Sequence, residues 1–226
     1  MKGLHALALT SWLAALSCLL GGCNSLLDLD SPHLDPTIGV DADSGAGGEG
    51  GAPAAAPSLC EQYCSAIMSA CSGENTQYTD LAACLSECPY FPEGQADDSE
   101  GNTLYCRLNF ALKAPSEPIT YCTWAGPGGD GACGSNCEGF CTLMTGACTP
   151  GTTSQSHEDY FPDNDACLAT CEGLPRVGHY DAIDTSITGG QDNYECRLYH
   201  VGAAISAAEP ELHCAHAIGR SLCVDK

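Results

Sequence analysis

The sequence predicts a mainly α, small disulfide-rich fold: two tandem modules of about three short helices each, with a cross-linked tail. Three observations carry this expectation. The chain has 18 cysteines in 226 residues, a density typical of chains oxidised outside the cytoplasm. The recurring short spacing is C-x3-C, one helical turn, rather than the paired C-x2-C of zinc knuckles. Beyond residue 58, sixteen cysteines fall into two sets of eight with the same opening and the same centre.

The first set is Cys60, Cys64, Cys71, Cys84, Cys88, Cys106, Cys122 and Cys133; the second is Cys137, Cys141, Cys148, Cys167, Cys171, Cys196, Cys214 and Cys223. Flanking residues repeat as well: Cys60-Glu61-Gln62-Tyr63-Cys64 matches Cys137-Glu138-Gly139-Phe140-Cys141, and Cys106-Arg107-Leu108 matches Cys196-Arg197-Leu198. This is a duplication, with one module over 59–134 and the other over 135–226. On a helix, each C-x3-C-x6-C opening places its three cysteines within about 20° of one direction. The central C-x3-C predicts short helices over Leu81–Cys88 and Asp165–Cys171. A third helix is expected from near Asn102 and Asp192, capped by those residues, with Asp192 and Glu195 at capping-box spacing. These helices run to Ala114 and Ala208, just before Pro115 and Pro210. Large aliphatics are few, so bridges must compensate for a thin core, at about 2–4 kcal/mol each. Even cysteine numbers suggest four bridges per module, all structural, but eight cysteines leave the connectivity open.

The N-terminus points to export. Met1 and Lys2 precede an apolar run through Leu20, too short for a membrane span, and the run ends Leu20-Gly21-Gly22-Cys23. Over its first 23 residues the chain resembles a bacterial lipoprotein precursor. That resemblance implies a signal peptide over 1–22, acylation of Cys23, and a membrane partner reached through the N-terminal lipid. Asn24 lacks the Asp that many such proteins use for inner-membrane retention, so the expected location is the cell envelope, at the outer membrane. Residues 23–58 then form an acidic Gly/Ala/Pro linker, with an r.m.s. span of roughly 30 Å for a flexible chain of this length. In style the tandem cysteine-rich body resembles exported lipoproteins of myxobacteria, a likeness that brings no activity with it.

The formal charge is −22 at pH 7, and every acidic residue lies past the signal. Such a surface repels phosphate backbones, so no nucleic-acid partner is expected. No P-loop, dinucleotide fingerprint, haem attachment site or nucleophile elbow occurs. The expected function is a surface-displayed binding or structural module without catalysis, its partner an unidentified protein or small molecule.

One asymmetry between the copies suggests a second reading, a metal-binding protein or metalloenzyme. Four residues past the Cys-Arg-Leu cysteine, Phe110 in the first copy becomes His200 in the second. Beside the next cysteine, Tyr121 and Trp124 become His213 and His216. A joint exchange of three aromatics for three histidines suggests that these positions meet in space. Three neutral imidazoles bind Zn or Cu and leave a coordination position open, with Glu209 or Glu211 available as support. Such a site requires ring nitrogens within about 4 Å of one another. Cys196 and Cys214 are excluded as ligands because bridges consume them. His213 and His216 are expected in a turn. The long loop Gly173–Gly190, with His179 and Tyr180, is a further place for binding.

Overall fold

The structure, a computed structural model, describes residues 56–149, 160–184, 186, 190–207, 209–220 and 222–223. The expected signal peptide, Cys23 and nearly all of the linker lie outside the described residues. Among the described residues the secondary structure is helical: α1 (Leu59–Ala70), α2 (Leu81–Glu87), α3 (Leu104–Lys113) and α4 (Pro118–Ala125), then α5 (Asn136–Ala147), α6 (Asn164–Glu172), α7 (Tyr194–Ser206) and α8 (Pro210–Ala217).

The two halves repeat each other element by element. α1 and α5 both open on a capping box, Ser58 with Glu61 and Ser135 with Glu138, which satisfies backbone N–H groups at each helix start. α2 and α6 are capped by Asp80 and Asp163, whose carboxylates accept from the backbone three residues on. For α3 and α7 the caps are Thr103 and Asn193, one residue past the expected Asn102 and Asp192. The displaced residues have other partners. Asn102 donates to Thr142 Oγ1 at 2.8 Å, across to the second half. Asp192 forms an ion pair with Arg197 at 2.7 Å, so Asp192 and Glu195 form no capping box. The cross-linked tail of each half is itself a helix. α4 and α8 both begin on a proline, Pro118 and Pro210, at a position where the missing N–H is no loss. His213 and His216 therefore sit on a helix and not in a turn.

All sixteen cysteines of the body are paired. In the first half the bridges are Cys60–Cys88, Cys64–Cys84, Cys71–Cys122 and Cys106–Cys133. In the second they are Cys137–Cys171, Cys141–Cys167, Cys148–Cys214 and Cys196–Cys223. Counted within each set, both halves join first to fifth, second to fourth, third to seventh and sixth to eighth. Facing C-x3-C turns clamp the first helix antiparallel to the second. The third pair ties the end of the first helix to the last helix.

No disulfide joins the halves, yet Pro53–Lys226 forms one compact unit. A single apolar cluster runs through both, with Tyr63, Ile67 and Leu104 from the first half and Phe140, Leu143 and Leu198 from the second. α2 packs on α7. The contact is close at Gly202, where a Cβ would stand 2.6 Å from Glu87 Oε1. The loop after α6 crosses to the first half: Ala182 N donates to Thr76 O at 2.8 Å, and His179 Nε2 lies 3.1 Å from Asn75 Oδ1.

Two groups buried near this seam carry potential charge. Arg107 donates to the Thr103 and Pro127 carbonyls and stacks on Phe91. Glu87 is 5% exposed, and burial pushes its carboxyl up to about 8. The folded state therefore keeps a proton on Glu87 that the unfolded chain, with an ordinary value of 4.5, has released. In that window stability falls as pH rises.

Peptide mapping of non-reduced protein is expected to return these eight bridges and none spanning Cys133 and Cys137; a bridge between the sets would refute the fold. Glu87→Gln is expected to leave stability nearly unchanged near pH 5 and to raise it by on the order of 3 kcal/mol near pH 8, read from urea melts with bridges intact. A wild-type and variant difference that stays flat over this range would show that Glu87 is not buried as described.

Candidate metal centre

The bridges position the three histidines. α7 is fixed near its start by Cys196–Cys223, and His200 follows one turn later. α8 is fixed at its middle by Cys148–Cys214. His213 and His216, three residues apart on α8, share one helix face and meet His200 there. The His200 and His213 Nδ1 atoms are 3.1 Å apart. One ligand atom from each of the three residues can be chosen so that all lie within 4.8 Å of one another.

The first half supplies an internal control for this geometry. Phe110 and Tyr121 stack at 5.7 Å and 23° between planes, and Trp124 meets Phe110 edge-on at 5.0 Å and 81°. In the second half His200 and His213 stack at 5.4 Å and 23°, and His216 meets His200 edge-on at 4.7 Å and 80°. The same bridged frame therefore orients three rings the same way twice. Only the second copy puts nitrogen atoms into the cluster.

The electrostatics suit ligation. Burial holds all three imidazoles below the usual histidine value; for His200, with both neighbouring imidazoles adding to it, the value falls to about 4. The Glu209 carboxylate opposes this at His213. The rings are thus neutral at pH 7, the form that binds a metal. His200 is 5% exposed, and its Nε2, like Nδ1 of His216, is buried without a hydrogen-bond partner among the described residues. Two nitrogens on a tetrahedral Zn ion stand about 3.4 Å apart, given Zn–N near 2.0–2.1 Å. The observed spread, up to 4.8 Å, is wider than this and than the 4 Å expected, so ligation would draw the rings together. Sulfur atoms of Cys196 and Cys223 are also close to His200, but they are bonded to each other.

His179 and Tyr180 lie on the loop tied to the first half and are not among the clustered ring nitrogens. Sequence reasoning missed Glu87 altogether. Nothing local distinguishes an acid at the end of a short helix, and its burial depends on α7.

Among comparisons with known proteins, a family model described as the BfoA family C-terminal domain matches residues 49–136. The match takes in the first cysteine set and ends at the start of α5, so the three histidines lie beyond it. No curated protein and no solved structure matches the chain. By sequence, the first half is similar to that C-terminal domain.

Proposed function

We propose that this chain is an exported, lipid-tethered binding protein whose second half holds one Zn or Cu ion through His200, His213 and His216. The observation that carries this reading is the paired ring geometry. Where one copy of the frame packs Phe110, Tyr121 and Trp124, the other brings three neutral imidazoles to within 4.8 Å. Two of their buried nitrogens lack partners, which a bound cation would supply. Three protein ligands leave a fourth position for water or a small ligand.

The eight bridges are the mark of an oxidising compartment, and among the described residues no helix is long and apolar enough to cross a membrane. The proposal adds what the residues before Ala56 imply: cleavage before Cys23, acylation there, and display on a linker at the outer membrane. In this reading the body binds and does not catalyse.

Protein made in an oxidising compartment and purified without a His tag is expected to carry about one equivalent of Zn or Cu after equilibration. The triple exchange His200→Phe, His213→Tyr and His216→Trp, which rebuilds the cluster of the first half, is expected to keep all bridges and lose the ion. Metal at background in the wild type, or equal metal in the variant, would remove the proposal. For the anchor, labelled palmitate is expected to enter the wild-type chain and not Cys23→Ser; an unlabelled wild type would refute acylation.

A further inference from the structure

The seam between the halves holds a partly open cavity of about 190 Å³. Its walls come from both copies: Tyr78 and Glu87 from the first half, and Tyr180, Tyr199, Gly202 and His213 from the second. An apolar cavity of about 150 Å³ accepts benzene, so this one has room for a single ring with a short polar arm. Two residues of its wall are not repeated between the modules. The residue matching Glu87 in the second copy is Thr170, which is exposed, and the residue matching Gly202 in the first is Leu112, which is 64% exposed. It exists because one half brings a carboxyl and the other brings bare backbone to receive it.

We propose that this cavity is a binding site for a small organic ammonium ion, with the Glu87 carboxylate as its counter-charge. Glu87 is 95% withdrawn from solvent and forms no hydrogen bond or ion pair with any described residue. Its Oε1 lies against Gly202, where even a methyl group would crowd it. A buried carboxyl without partners is destabilising unless it is neutral or meets a cation. Among the described residues, no lysine or arginine lines the cavity.

The hydroxyl chemistry also favours a donor-rich, positive guest. Tyr63 O–H donates to Ala125 O at 2.7 Å, so the 2.7 Å contact between the Tyr63 and Tyr78 oxygens uses the Tyr78 proton. Tyr78 is then left with lone pairs to offer. An R–NH3⁺ group has three donors and no acceptor, matching a carboxylate and a phenolic oxygen. Tyr78, Tyr180 and Tyr199 supply aromatic surface for a ring and for the cation itself. Burial pushes the Glu87 carboxyl up to about 8 in the empty cavity, so an arriving ammonium displaces its proton to solvent and leaves an ion pair.

The inference needs no bound metal, although His213 borders both sites, so the test uses full-length protein stripped with EDTA. Calorimetric titration at pH 7 compares benzylamine, charged at that pH, with benzyl alcohol, its neutral counterpart. Wild-type protein is expected to bind the amine at least about tenfold more tightly than the alcohol. Glu87→Gln is expected to bring the two probes to within about twofold of each other while leaving the bridges unchanged. Equal affinity for both probes in the wild type refutes the site, and this comparison needs no variant. So does a preference for the amine that survives in Glu87→Gln, which would assign it to the acidic surface. Absence of binding by either probe at about 10 mM also overturns the proposal.

Discussion

The constraint on which the structure depends is a bridge order, first to fifth, second to fourth, third to seventh and sixth to eighth, repeated in two halves. Each half packs only a few large apolar side chains, too few to hold four short helices by burial alone. The nested first and second pairs close loops of 28 and 20 residues in one copy and 34 and 26 in the other, setting two helices antiparallel. The third pair closes 51 and 66 residues and brings the last helix back onto the first. Long closures remove the most freedom from the unfolded chain. The pair that seats α4 and α8 is thus the one whose loss would release the ring cluster.

A frame held by sulfur can change its contents without changing its shape. The ring clusters show this: stacking angles of 23° occur at Phe110–Tyr121 and again at His200–His213, although one pair is hydrocarbon-rich and the other is not. The exchange is not neutral. Histidine buries less apolar surface than phenylalanine or tryptophan, and each nitrogen left without a partner costs about 1–3 kcal/mol. His200 Nε2 and His216 Nδ1 both carry that cost. A ligand that bonds either nitrogen would offset that cost.

Much of this was legible from residue order, and the failures have physical reasons. The C-x3-C-x6-C spacing forces one helical face, so α1 and α5 could be read directly. The caps of α3 and α7 fell one residue later because Asn102-Thr103 and Asp192-Asn193 each offer two cap-competent side chains. Tertiary partners, Thr142 and Arg197, take the first of each pair. α4 and α8 were hidden because their apolar residues show no clear helical face; the proline starting each was the usable signal. The three histidines could be singled out because a duplicated sequence supplies its own reference. Glu87 could not, since its neighbours belong to the other copy.

That last failure explains how the two halves come to be one body. Without a disulfide between them, the halves approach closely where side chains are missing. Gly202 receives Glu87, and Gly146 receives the ring of Tyr90. Neither has a glycine at the matching position of the first copy, Leu112 for Gly202 and Ser69 for Gly146. α7 is the element the seam shares with the metal cluster. His200 and Gly202 stand two residues apart, about 200° around the helix, so one side of α7 faces α8 while the other faces α2. The seam cavity reaches His213 as well as Glu87. The two candidate sites are therefore walls of one helix, held in place by Cys196–Cys223. A change in how α7 is seated must act on both.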